Sequence, residues 1–521
     1  MSNSSDYTIT SLSGGITQRS FCAGATQAPF GLGVSSVMGI RQTCLPYTSG
    51  PINSFTIFQR AFCGHMPCAT NLYVGEDTVG MHPTIQSAVD AIPNNEALSC
   101  SYNIIITDSA EYSENVVLLN ITTSQDSCYG TINHKITLTT SVGASPTIDA
   151  GQTAGSGQAA LWIRDVNNVT IDGLKFTNWS WTGSPGISAG GLSAIVIGNQ
   201  NETTNPINNI TIKNCTMDGK DGGTYGVYVN RATAPLYPSR ITIRDCVVTG
   251  TLGDNTQGRY GIALARARNC TIDHNTIRAQ DSVGIYVAGH SSEMVGNHNI
   301  TRNTISNCDD RGIYITNSQN CSIINNLIYD VGSDGRPAID LYNDIDGLKA
   351  YNNTIACDAI TDDLIIWNSS ATGSNEWKNN IYRYGTATGQ AIYRFDVSEQ
   401  VDHGIDSDWN LFSLAADVVD YLARCSACPG WENWTLLADW ELASEQDGNS
   451  NEDNYPWYAP GEQPCTIFND EGNDDYTLCL NTTFGTNPAF VPAMPKLVSI
   501  DIDGNPRIGA PARGCYRSGS V

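Results

Sequence analysis

Three aspartates stand in or just ahead of similar segments of this chain: Asp281 before VGIYV, Asp310 before RGIYI, and Asp340 inside AIDLY. Carboxylates gathered from neighbouring segments could hydrolyse a glycosidic bond, one protonated as general acid and the other ionised as base or nucleophile. Asp310 with Asp281 or with Asp340 is the pairing the spacing suggests. Around them recur the types that hold a sugar chain. Tyr228, Tyr286 and Tyr314 offer flat apolar platforms, and Arg259, Arg311 and Arg336 offer planar donors for hydroxyl or carboxylate groups. Elimination chemistry would instead need a base beside a uronate carboxylate and a cation to neutralise it, supplied by Arg311, Arg336 or a Ca²⁺ ion on the turn aspartates. The same residues have ordinary uses, since tyrosine suits strands and aspartate bonds local backbone in turns.

The elements that must position them form a repeat. VGIYV leads to NITRNTIS, RGIYI to CSIINNLIY, and AIDLY to LKAYNNTIA, with Asn303, Asn326 and Asn353 at one equivalent place. The frame extends back to Asn275, Cys246, Cys215 and Leu174, and forward to Asn380 and Asn410, at intervals of 23 to 41 residues. Self-similarity at that period marks a solenoid or propeller. Apolar residues alternate at period two around each anchor, so the units are strands. A stacked Asn suits the turn between the second and third strand of a unit, because its amide can satisfy both turn backbone and the Asn of the next coil. On these anchors the chain resembles the pectate-lyase-like right-handed parallel β-helix superfamily, over roughly residues 102–414. The resemblance implies an all-β fold of about ten coils. It also implies a substrate face on the first strand of each coil, as in pectate lyases and polygalacturonases. Asp309-Asp310 and Gly289-His290 are fragments of a polygalacturonase pattern in the wrong order, and neither complete motif set is present.

Strand parity says which side chains point out. In G-I-Y-I the apolar flanks face inward and the middle residue outward. This predicts one outer row of Trp162, Val196, Tyr228, Ala263, Tyr286, Tyr314, Asp340, Ile366 and Tyr393, with rungs ~4.8 Å apart. Arg259, Asp281, Asp309, Asp310, Arg311, Asp334, Arg336, Asp362 and Asp363 fall in the turns entering these strands.

Composition narrows the partners. With 52 acidic against 27 basic residues, the net charge of −25 excludes a nucleic-acid ligand and an anionic membrane, both of which demand a basic surface. No basic-then-apolar leader opens the sequence, and no apolar run reaches the ~18 residues of a transmembrane helix. An extracellular or virion-surface location is expected. Of the seventeen cysteines, Cys215 and Cys246 continue the anchor column as small buried side chains. Those near the two ends suggest disulfides in less regular regions. Register also puts His298 between Cys270 and Cys321 in an inward column, read as a buried histidine ahead of a metal site. Cys425-Ser-Ala-Cys428 is read as disulfide chemistry. The Asn-x-Ser/Thr triplets follow from the repeat's own use of Asn and Thr.

Three regions result. Residues 1–75 are almost uncharged and form a cap or an attachment and self-association module, which would make the protein a homo-oligomer. Residues 76–414 are the β-helix, plugged by an amphipathic helix over 82–93 with Ile85, Ala88, Val89 and Ile92 on one face. Residues 415–521 are an acidic extension with several Trp and Cys. Two functions fit. The first is a surface protein of virion-spike or tailspike type that binds a polysaccharide or host glycan and docks to other virion or surface proteins through residues 1–75. The second is a secreted polysaccharide lyase or glycoside hydrolase acting on an acidic glycan.

Overall fold

The computed structural model describes residues 68–503 outside a set of intervening loops, among them 151–158, 180–192, 199–206, 231–236, 251–259, 397–404 and 479–500. The chain divides into two compact units, Met1–Cys68 and Ala69–Val521. The expected N-terminal module therefore lies outside the described residues, save for its end. Ala69–Val74, assigned to that module from sequence, is instead the edge strand of the solenoid, paired in parallel with Ser101–Ile106.

Three long sheets of 12, 12 and 13 strands run side by side. The chain visits each once per coil. One coil passes through Ile285–Ala288 in the third sheet, Asn299–Thr301 in the first and Thr304–Cys308 in the second. Every pairing in the stacks is parallel until Tyr421–Cys425 meets Glu432–Trp434 antiparallel at one end. All but one strand of the first sheet fall between residues 102 and 414 or overlap that span, close to the expected coil number. This is a right-handed parallel β-helix. Among the described residues no helix is long and apolar enough to cross a membrane.

The inward columns are those the alternation predicts. Ile212, Ile243, Ile272, Ile300 and Ile323 pair rung to rung and are fully buried, as are Ile277, Ile305, Ile328 and Ile355. Each such side chain contributes on the order of 2 kcal/mol of burial. Near residues 365–412 the aliphatic columns give way to rings, with Trp377 following Ala350 and Tyr382 and Phe412 following Ile355. Trp367, Trp377, Tyr382, Tyr393, Phe395 and Phe412 pack there edge-on and stacked, with centroids 5.4 to 6.4 Å apart.

The turn between the first and second sheets recurs in one conformation. Asn214, Asp245, His274, Arg302, Asn325, Asn352, Asn379 and Trp409 each precede an anchor and have φ between +54° and +61°. Glycine apart, Asn and Asp enter this left-handed region at the least expense, so the turn itself must hold His274, Arg302 and Trp409 there. The anchor then fixes the turn: Asn326 Nδ2 donates to Asn353 Oδ1 at 3.0 Å and to Ile300 O at 2.9 Å. Its Oδ1 accepts from Asn303 N at 2.9 Å and from Asn303 Nδ2 at 3.0 Å. The same contacts link Asn275 through Asn410, and Asp447 Oδ1 accepts the last amide at 3.0 Å. In the third sheet Gly261 and Gly284 open successive strands because a Cβ there would meet the next rung's glycine carbonyl at 2.6 and 2.7 Å.

The capping helix is shorter than expected, Ile85–Asp90, with Ile85, Ala88 and Val89 buried and Ile92 buried just beyond it. Thr84 and Ser87 form a reciprocal capping box, and both Glu114 carboxylate oxygens accept the Ile85 and Gln86 amides at 2.7 and 2.9 Å. A carboxylate on unpaired helix N–H groups is favoured by the local dipole. Ala91 is the C-cap, still in the right-handed helical region, and Pro93 two residues on disfavours helix at Ile92 and so limits the helix to these residues.

Candidate functional site

The outer row of the third sheet pairs Trp162, Val196, Tyr228, Ala263, Tyr286, Tyr314, Asp340 and Ile366 rung to rung, as parity predicts. Its last member is corrected. Ile365 pairs with Tyr393, which turns inward into the ring-filled core, and Arg394 takes the outward place opposite Ile366. The row is also less open than an exposed stripe. Val196, Tyr228 and Ala263 are buried and form, with Ala159, a second apolar cluster outside the main core. Tyr225 stacks over Tyr228 with centroids 4.4 Å apart, so Tyr228 is a support for other rings and not an open sugar platform.

The half-buried rings form a stair. Tyr225, Tyr260, Tyr286 and Tyr314 follow one another at 5.2, 5.2 and 5.3 Å between centroids. Tyr225 and Tyr260 were missed in the sequence because they lie three residues ahead of the row. The available signal is Ala263, a small residue in an otherwise aromatic run, which leaves room for the Tyr260 ring to reach Tyr286. Burial raises all four phenols above their usual range, Tyr314 to about 12.

At Tyr314 the stair meets a charge cluster. Arg311 lies 4.7 Å from the Tyr314 centroid and donates from Nη1 to Asp310 Oδ2 and from Nε to Asp340 Oδ2, both at 2.6 Å. The strand register makes this possible, since Arg311 lies two residues ahead of Ile313–Gln319, the strand whose Tyr314 pairs with Asp340. Ser282 Oγ donates to Asp310 Oδ2 at 3.3 Å. Asp310 Oδ1 has no hydrogen-bond partner among the described residues, with Arg336 Nε the nearest cation at 3.6 Å. The Arg336 side chain is 57% exposed, which leaves this guanidinium available to a ligand.

Asp310 and Asp340 are thus brought together as expected, but an arginine bridges them. Asp281 is buried. Burial raises the nearby Asp309 carboxyl, a Ser333 hydrogen bond opposes the shift, and the Asp334 and Asp281 charges add to it. Burial raises the Asp340 carboxyl as well, although Arg311 opposes the shift. Arg259 lies outside the described residues. Among the described residues no group of three His, Cys, Asp or Glu is placed to hold a metal. His298 does stand between Cys270 and Cys321, and its Nδ1 accepts the Cys270 amide at 3.3 Å. Burial lowers it to about 4, so it is neutral in the core. Cys68, Cys100 and Cys425 are disulfide-bonded.

A second cluster on the same face was not legible in the sequence. Asp363, fully buried, accepts from Arg424 and the Ala391 amide, with Arg394 Nη1 at 3.6 Å. It joins three coils through one carboxylate.

Coils, anchors and an outward face define a parallel β-helix protein. The chain belongs to the right-handed β-helix family, whose profile matches residues 92–298 and 239–396, together more than half of its length. No curated protein sequence matches it. Among solved structures it is similar to XylC in complex with xylose, at TM-score 0.50 and 10% identity over 87% of this chain and 99% of that one. It is also similar to a GH136 lacto-N-biosidase from Eubacterium ramulus, at TM-score 0.48 and 13% identity over 74% and 67% of the two chains. ORF18 of Geobacillus virus E2 aligns at TM-score 0.37 and 11% identity over 65% of this chain and 56% of that one.

Proposed function

We propose that this protein binds a polysaccharide along the third-sheet face, in the manner of a surface or virion receptor-binding β-helix. The observation that carries the reading is the stair of half-buried rings ending at Arg311, Asp310, Asp340 and Arg336. Rings one rung apart suit the faces of successive sugar units, and the charges at their end suit hydroxyl or carboxylate groups. The XylC complex with xylose gives the same fold a saccharide ligand. Binding is favoured over hydrolysis because Arg311 contacts both carboxylates. Hydrolysis wants both carboxyl groups free to reach the glycosidic bond, whereas the Arg311 guanidinium occupies Oδ2 of Asp310 and of Asp340.

Asp310→Asn separates binding from catalysis. A panel of neutral and uronate-containing oligosaccharides is assayed for binding, new reducing ends and unsaturated products. The expected result is binding without product, and a modest affinity change in the variant. Product formed by the wild type and lost at least ~100-fold in Asp310→Asn would replace this reading with the lyase or hydrolase one.

A further inference from the structure

The anchor column changes chemistry partway along. Amides fill it from Asn275 to Asn410, and beyond Asn275 the next two anchors are Cys246 and Cys215. Cys246 N–H still donates to Asn275 Oδ1 at 3.0 Å, but no side-chain amide continues past it. Thr216 pairs with Val247, and Val247 N–H donates to Cys215 O at 2.9 Å, which sets the two cysteines at equivalent places on neighbouring rungs. Both follow a residue at φ +54°, and each sulfur lies 3.2 Å from the carbonyl two residues back, at Lys213 and Arg244. Both are buried and carry free thiols. Rungs stand ~4.8 Å apart, inside the Cα separation of ~4.4–6.8 Å that a disulfide spans.

Among the described residues the other buried cysteines stand beside different side chains in register. Cys308 pairs with Gln280 and Val331, Cys357 pairs with Tyr384, and His298 separates Cys270 from Cys321. The chain also carries disulfides at Cys68, Cys100 and Cys425, so its chemistry includes cysteine oxidation.

We propose that Cys215 and Cys246 form a coil-to-coil disulfide that continues the amide ladder covalently where the asparagines stop. The oxidant is a small disulfide of the oxidised-glutathione class. One cysteine thiolate attacks a glutathione sulfur, forming a mixed disulfide and releasing one glutathione thiolate. The second cysteine thiolate then attacks the protein sulfur of that mixed disulfide and releases the other. Two thiols become one disulfide, the oxidant becomes two thiols, and the protons pass between them through solvent. Closure takes place during folding, before the core excludes the oxidant.

Trypsin makes the test direct. Cleavage after Lys213, Lys220, Arg244 and Arg259 leaves Cys215 in NCTMDGK and Cys246 in DCVVTGTLGDNTQGR, each the sole cysteine of its peptide. The full chain is refolded in a glutathione redox buffer, denatured with N-ethylmaleimide to block free thiols, and digested without reductant. The expected product is the two peptides joined, separating on reduction. Cys68, Cys100 and Cys425 serve as internal controls. Both peptides recovered as maleimide adducts while the controls remain disulfide-linked would overturn the proposal, and so would either peptide joined mainly to another cysteine.

Discussion

Asn326→Ala tests what holds the coils in register. The wild-type side chain is fully buried and makes four hydrogen bonds, two to Asn303 and one each to Asn353 and Ile300. After truncation Asn353 Oδ1 keeps the Asn326 amide at 3.0 Å, and Asn303 Nδ2 keeps Ile272 O at 3.0 Å. The Asn303 N–H loses Asn326 Oδ1, which the structure gives as its acceptor, inside a dry core. One orphaned amide costs ~1–3 kcal/mol, and the small cavity adds to it, giving roughly 2–4 kcal/mol in all. Because each coil contacts only its neighbours, the loss should be local. Hydrogen exchange should therefore show protection falling in strands 299–331 while strands 136–149 stay protected, alongside a lower denaturation midpoint. A change below ~0.5 kcal/mol with uniform protection would refute the claim that the amide column supports the stack.

Two pH effects follow from burial. Tyr314, held near 12 against an ordinary value of 10, contributes stability fully present below pH 10 and lost as pH rises through about 12, with Tyr225 raised further still. Phenolate absorbance should thus appear late in an alkaline titration and coincide with unfolding, and a normal tyrosine titration in the folded state would contradict the stair. His298, lowered to about 4 from 6.5, contributes stability present above pH 6.5 and lost as pH falls through about 4, on the order of 3 kcal/mol. His298→Gln should flatten acid unfolding across that window, and an unchanged acid profile would remove the buried neutral imidazole from the account.

Much of the coil was legible because one residue type does one job at each turn. Asn303, Asn326 and Asn353 sit where an amide alone satisfies both backbone and neighbour, so their spacing exposes the repeat. Parity located Tyr286, Tyr314 and Asp340 correctly for the same reason. It failed at Tyr393, where the core holds rings instead of aliphatic side chains and Tyr393 and Phe395 both turn inward around an outward Arg394. Alternation reports hydrophobicity, and a tyrosine reads equally well on either face. Burial of Tyr228 and the Asp363 cluster could not be read from spacing, because each depends on residues from other coils.

A glycan held on the ring stair beside Arg311 should rest in part on the Tyr314 ring. Calorimetry with the strongest-binding oligosaccharide of the panel, comparing wild type and Tyr314→Ala, tests it most directly. The stair loses the ring that also faces the Arg311 guanidinium. Affinity should fall by ~1 kcal/mol or more, about fivefold, while the folded structure persists because the side chain lies outside the main core. Unaltered affinity in a folded Tyr314→Ala protein would contradict the account and take the binding site off this face.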